Sequence, residues 1–267
     1  MLRKAPMVVR RFGLVQACFL FLPELVRETR LSRSLGQALR SNARRFRMRD
    51  STVLWFRPFS MDLGIFHEIW DHERYTSGSI GGMARDGIVV DIGAHVGLFS
   101  LYASKVLKAR RIVSAEPDPS NFDLLSKNIH ANHIENATVV RVAVAGESGE
   151  KWMGISPSNT GGHSLYGHGL NGRLVRVFSL MDLFASSGIS ECSLLKLDCE
   201  GAEMEIFENA PDGLLKRVSA ISLEYHLDAY PPERLGMFRT RIERLGFAVE
   251  VRPTSKTLGT FRGIQRG

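Results

Sequence analysis

Residues 89–100, VVDIGAHVGLFS, limit what this chain can fold into more than any other stretch. An apolar run at residues 88–92 carries an acid near its end and runs into a glycine turn from Gly93 to Gly97. Leu98, Leu101, Tyr102 and Val106 then recur at helical spacing. The pattern predicts strand, tight turn and helix. Glycine suits such a turn because the backbone bends sharply and a ligand can approach where a Cβ would clash. Asp91, at the carboxyl end of the strand, is placed to accept hydrogen bonds from a ligand in the first strand–helix crevice, the usual binding place of an open α/β sheet. The spacing is D-x-G-x-x-x-G, not the G-x-G-x-x-G that offers glycine amides and a helix N-terminus to a pyrophosphate. An acid just before the turn suits a ligand whose near end is cationic. A strand–turn–helix without any ligand has the same five-residue spacing, so the rest of the chain must decide between the two.

Residues 111–115, RIVSA, read as a second strand that ends at Glu116 before Pro-Asp-Pro. An acid there, about 20 residues beyond the glycines, sits where a carboxylate grips a ribose diol. Pro119 starts a helix through Phe122, Leu125 and Ile129, residues 138–144 read as a third strand, and residues 146–149 as a turn. The second informative stretch is SLLKLDCEGAEMEIF, residues 193–207. Its buried strand, 194–197, ends at Asp198 and Glu200 on either side of Cys199, with Gly201 as the turn into a helix over 202–209. In an extended chain residues 198 and 200 face the same side, so two carboxylates converge at a strand's carboxyl end. Such groups can orient or deprotonate a nucleophile, with Asp198 preferred. Glu200 could instead bind an acceptor or cap the helix that follows, where negative charge is favoured. Residues 218–225 form the next strand and lead to His226, a further candidate base with an unperturbed pKa of about 6.5. A helix over 233–245 and a strand pair at 247–251 and 258–264 complete an α/β chain with a parallel sheet and one antiparallel strand.

Other features point to chemistry less directly. Residues 66–73 read as a charged helix containing H-E-x-x-x-H, which is not the H-E-x-x-H spacing of a zinc site, so a solvated face and no metal are expected. Residues 156–172 are too rich in Gly, Ser and Asn for a regular element, and a loop of this length is a lid, a substrate loop or disordered. Its His163 and His168 are expected to be solvated rather than catalytic. Cys18, Cys192 and Cys199 are scattered and odd in number, so neither a disulfide framework nor a zinc cluster is suggested, and a reducing, cytoplasmic setting is expected.

The net charge of +7 is unevenly placed: residues 1–50 hold 12 Lys/Arg against 3 Asp/Glu, and residues 51–267 hold 23 against 25. The larger part is near neutral, which argues against nucleic acid as a partner. The chain divides accordingly into a basic N-terminal helical extension, residues 1–50, and one domain, residues 51–267. The apolar run at 12–22 is short of the roughly 20 residues that span a bilayer. The extension is expected either to pack on the domain or to make peripheral contact with an anionic membrane surface, and to be dispensable for cofactor binding.

The stretches VVDIGAHVGLFS, SAEPDPSNFDLL, residues 180–182, LLKLDCEGAEMEIF and ISLEYH resemble, in order and spacing, the FkbM-type family of S-adenosylmethionine-dependent methyltransferases. The similarity covers about residues 65–264, and the Lys-x-Asp-x-Glu-Gly motif at residues 196–201 is its most specific part. His95 stands where the family commonly has Asn, and Met181 interrupts a usual Leu-Asp pair. The resemblance implies a Rossmann-like class I methyltransferase fold, a mostly parallel seven-stranded sheet with helices on both faces. It also implies S-adenosylmethionine as cofactor, bound through Asp91, Gly93, Gly97 and Glu116. The implied reaction is O-methylation of a hydroxyl on a sugar, glycan or polyketide-like acceptor, with Asp198, Glu200 and His226 as catalytic candidates. Two alternatives stand beside it: an NAD-dependent oxidoreductase on a similar sheet, and a catalytically silent nucleoside-binding module.

Overall fold

The run around Val89 does form a strand, and alternation across it sorts the core into two layers. Val89 belongs to the apolar cluster on one face of the sheet, and Val90 and Ile92 belong to the cluster on the other. The computed structural model describes residues 10–12, 43–57, 60–156, 159–166 and 171–266. In chain order the elements begin with β1 (Arg44–Arg47), β2 (Val53–Phe56), α1 (Asp62–Trp70), α2 (Ile80–Ala84), β3 (Ile88–Ile92) and α3 (Leu98–Lys105). β4 (Arg111–Ala115), α4 (Pro119–Ala131), β5 (Ala137–Val140), β6 (Ala143–Ala145), β7 (Gly149–Gly154) and β8 (Gly172–Ser179) follow. The last are α5 (Leu180–Ser186), β9 (Leu194–Leu197), α6 (Glu203–Asn209), α7 (Asp212–Leu215), β10 (Ala220–His226), α8 (Pro232–Arg244), β11 (Phe247–Pro253) and β12 (Leu258–Gln265).

Seven strands form the main sheet in the order β11-β12-β10-β9-β3-β4-β5, and only β12 runs antiparallel to its neighbours. This is the Rossmann-like class I arrangement, with helices on both faces. α3 and α4 pack on the layer that holds Val89, and α5, α6 and α8 on the layer that holds Val90. Local signals place the helices. Asp118 caps α4 by accepting the Asn121 amide at 3.0 Å, and Pro119 occupies its first turn.

The expected third strand, 138–144, is two strands. The Val140 carbonyl accepts the amides of both Glu116 and Val142 at 3.1 Å, a tight turn that takes the chain out of the main sheet. β6 then joins a second sheet, ordered β6-β8-β7. β1 and β2 form a separate antiparallel hairpin, so the expected division at residue 50 falls in the turn between paired strands. Phe12, Phe46 and Met48 are buried in the main core, and Arg11 donates to Asp71 at 2.7 Å. Most of the basic extension, including its apolar run after Phe12, lies outside the described residues. Among those described, no helix is long and apolar enough to cross a membrane.

Candidate active site

A cavity of about 590 Å³ opens at the carboxyl ends of β3, β4, β9 and β10, within the usual range for a small-molecule site. It is closed over by α1 and by residues 159–165 of the Gly-rich loop. The described part of that loop is anchored at Thr160. Thr160 donates to Asp62 at 3.1 Å, and its carbonyl accepts from Asn121 at 2.9 Å. His163 lines the cavity with Nδ1 accepting the Ser156 amide at 3.1 Å, so it is not the solvated histidine expected. His168 lies outside the described residues.

At one end of the cavity stand Gly93 and Glu116. Gly93 has φ +70°, and a Cβ on it would lie 1.7 Å from the Asp198 carbonyl oxygen. The glycine is therefore required by the neighbouring strand end, not only by ligand approach. Gly97, φ +83°, lies off the cavity, and a Cβ there would meet the Leu125 side chain at 2.6 Å, so this glycine lets α3 pack on α4. Asp91 also differs from expectation. It is fully buried and does not line the cavity; it accepts from Ser100 at 2.7 Å and pairs with Lys196 Nζ at 3.0 Å. Lys196 in turn donates to the Gly93 carbonyl at 2.8 Å. Asp91 thus holds the glycine loop through a buried lysine.

Glu116 accepts the amides of His95 at 2.8 Å and Asp118 at 2.9 Å, yet burial pushes its carboxyl up to about 7. His95 is buried with φ +52°, and desolvation lowers its pKa to about 4, so its ring is neutral. Arg57 can only donate, so the contact of 3.2 Å makes His95 Nε2 the acceptor and leaves the proton on Nδ1. Nδ1 is buried without a partner in a residue that lines the cavity. An orphaned donor beside a carboxylate at the end of β4 fits the polar groups of a nucleoside, as binding of S-adenosylmethionine requires.

The other end is crowded with carboxylates. Glu200 does not follow the extended alternation expected of it, because it sits in a turn at φ +54°. It nevertheless reaches the same space, with its carboxylate 3.4 Å from His226 Nε2. Burial, with Asp198 nearby, pushes Glu200 up to about 8. His226 Nδ1 contacts Glu203 at 3.2 Å, and Glu203 is itself fixed by the amides of Cys199 and Gly201. Burial works against a charge on His226, but Glu203, Asp198 and Glu200 outweigh it and raise its pKa to about 10. Its expected value near 6.5 therefore does not hold, and at neutral pH it carries a proton. Asp198 is the opposite case: burial pushes it up, and Lys196, His226 and a 2.8 Å hydrogen bond from Tyr75 bring it below the usual carboxylate range. It stays ionised.

Among the polar lining residues, Arg74, Tyr75 and Glu224 were given no role from the sequence, and Lys196 entered only as part of the motif. Glu224 and His226 stand two apart on β10, so strand alternation could have found Glu224. Arg74 and Tyr75 come from the segment between α1 and α2, where no periodic signal exists. His67 is a separate correction. It is buried and bonded to Asp71 at 2.6 Å, so that helix face is not solvated.

Comparison with known proteins agrees with this geometry. Residues 91–249 match the family described as "Methyltransferase FkbM domain". The chain is 23% identical over 190 residues to "Methyltransferase 1" of Beauveria bassiana, covering 62% of this chain and 74% of that one. It is 27% identical over 170 residues to "31-O-demethyl-FK506 methyltransferase FkbM" of Streptomyces tacrolimicus, covering 52% and 65%. A solved structure of M. jannaschii TYW2 in complex with AdoMet aligns over 84% of this chain and 87% of that one, at 12% identity and a TM-score of 0.39. With more than half the chain matched, and with the matched span running from Asp91 through every strand end that borders the cavity, the protein belongs to the FkbM methyltransferase family and uses S-adenosylmethionine as its cofactor.

Proposed function

We propose that the protein transfers a methyl group to a hydroxyl oxygen of a sugar, glycan or polyketide-like acceptor, with Asp198 as the group that aligns or deprotonates that hydroxyl. When bound, S-adenosylmethionine supplies a methyl group on a positively charged sulfur. The protein's part is to hold the acceptor in line and to take its proton as the new oxygen–carbon bond forms and the sulfur–carbon bond breaks. The observation that carries this reading is the division of protons at the carboxylate end. Asp198 is ionised, whereas Glu200 and His226 hold protons at neutral pH. A base must be free to accept, so Asp198 takes that role. Glu200 positions the acceptor by donating to its oxygens.

The name of the Streptomyces relative refers to an oxygen-linked methyl, which supports an oxygen acceptor. The near-neutral charge of residues 51–267 favours a glycan or small molecule over nucleic acid. Family membership leaves no place for the oxidoreductase reading. The test is methyl transfer from labelled cofactor to a panel of glycans, lipid-linked sugars and polyketide-like alcohols, with an RNA and a protein included. Label on a hydroxyl oxygen is expected. Transfer only to RNA or to a nitrogen would overturn the reading, and no transfer to any acceptor would favour the silent binding module.

A further inference from the structure

The ends of β9 and β10 bring an aspartate, a glutamate and a histidine together at the carboxylate end of the cavity. We propose that Asp198, Glu224 and His226 bind a divalent cation of the manganese type. One ligand atom from each lies within 4.8 Å of the others. Ligand bonds of about 2.1–2.2 Å put two ligands of one ion no more than about 4.4 Å apart. The side chains need close by only a few tenths of an ångström.

The surroundings support the same conclusion independently, because each residue is anchored through one atom and keeps another to offer. Tyr75 donates to Asp198 Oδ2 at 2.8 Å, and Arg74 donates to Glu224 Oε1 at 2.5 Å. His226 gives Nδ1 to the fully buried Glu203, and Nε2, 3.4 Å from the Glu200 carboxylate, would exchange its proton for the cation. A carboxylate behind the histidine is the usual partner of a metal-binding imidazole, fixing its tautomer and orientation. Glu203 is suited to that duty because backbone amides hold both of its oxygens, Cys199 donating to Oε1 and Gly201 to Oε2. The neighbouring Lys and Arg side chains leave a face of the cluster open. Lys196 is bound to Asp91 and the Gly93 carbonyl, and Arg74 to Glu68 as well as Glu224.

Two carboxylates and one imidazole, without sulfur, suit manganese or magnesium better than a thiolate-seeking metal. The functional consequence rests on the methyl-transfer reading. An open position on the cation would take the acceptor oxygen and lower its pKa, as bound cations do for water. Asp198 would then align the hydroxyl through the ion, and the hydroxyl proton would leave to solvent as the oxygen–carbon bond forms and the sulfur–carbon bond breaks.

Chelator-treated full-length protein titrated with Mn²⁺ alone, with free Mn²⁺ followed by electron paramagnetic resonance, tests the site. One saturable site is expected. Glu224→Gln and Asp198→Asn should each weaken it by about tenfold or more, the scale on which metal sites respond to loss of even a supporting group. Calorimetry with S-adenosylmethionine confirms that each variant is folded, and either variant alone suffices. Absence of a saturable site in the wild type, or unchanged affinity in a folded variant, overturns the proposal. Methyl transfer at full rate by chelated protein that binds no Mn²⁺ would overturn the cation site and leave the methyl-transfer reading standing. A saturable Mn²⁺ site in a protein that transfers no methyl group would do the reverse.

Discussion

At the scale of single residues, the cavity works by keeping protons on some acids and off others. Asp198 is held ionised by Lys196, His226 and Tyr75 against the effect of burial. Asp198→Asn keeps the shape and removes the charge. Cofactor affinity should change little, while single-turnover methylation falls by about 100-fold or more, the scale of losing a general base. Retention of rate within a few-fold would move the role elsewhere. Glu116 gives a pH-dependent counterpart. Its carboxyl is raised by burial to about 7, so the folded protein keeps a proton that the unfolded chain has lost from about pH 4.5 upward. The stability contributed by this group therefore falls as pH rises through that window. Cofactor affinity should move the other way, because a ribose hydroxyl donates best to the ionised carboxylate. Between pH 6 and pH 8 the affinity measured by calorimetry should rise by up to about tenfold, and Glu116→Gln should flatten the rise. Equal slopes in the two proteins would separate Glu116 from the cofactor.

At the scale of elements, the decisive contact is between the turn after β3 and the end of β9. Gly93 needs both a positive φ and the absence of a Cβ, since that atom would sit 1.7 Å from the Asp198 carbonyl. Lys196 on β9 locks the same turn through its carbonyl and through Asp91. Gly93→Ala should therefore push the two strand ends apart, lowering the melting temperature as well as weakening cofactor binding. Weaker binding with unchanged melting would show instead that the glycine serves ligand approach alone. The common cause explains why the strand ends that carry Gly93 and Asp198 form one unit of the site.

At the scale of the whole molecule, the N-terminal segment is part of the core where it is described. Phe12 rests 5.3 Å from Phe66, ring centre to ring centre, and Phe46 stacks on Phe56 at 4.6 Å. Removing one buried Phe side chain costs about 3–5 kcal/mol, against a total stability of roughly 5–15 kcal/mol for a domain. A chain beginning at residue 51 loses both rings and the partner strand of β2. It should fail to melt cooperatively or should melt far below the full chain, and cofactor binding should suffer with it. Equal melting and equal affinity would restore the expectation that residues 1–50 are dispensable.

The sequence by itself determined the strand order's main ingredients and the two turns of the site. Apolar runs ending in Asp91, Glu116 and Asp198, each followed by a turn and helical periodicity, admit little besides an open α/β sheet, because period and turn chemistry are local properties. It also placed Gly93, Glu116, Asp198, Glu200 and His226 at a common end of the sheet, where all five line one cavity. Only the tertiary structure decided which acids face a ligand and which carry protons. Asp91 turned out to serve Lys196, and Glu224, Tyr75 and Arg74 arrived from β10 and from the segment between α1 and α2. The physical reason is that burial and neighbouring charge set ionisation, and both are sums over groups distant along the chain. Tyr75 and Asp198 are 123 residues apart and share a hydrogen bond that no local pattern encodes.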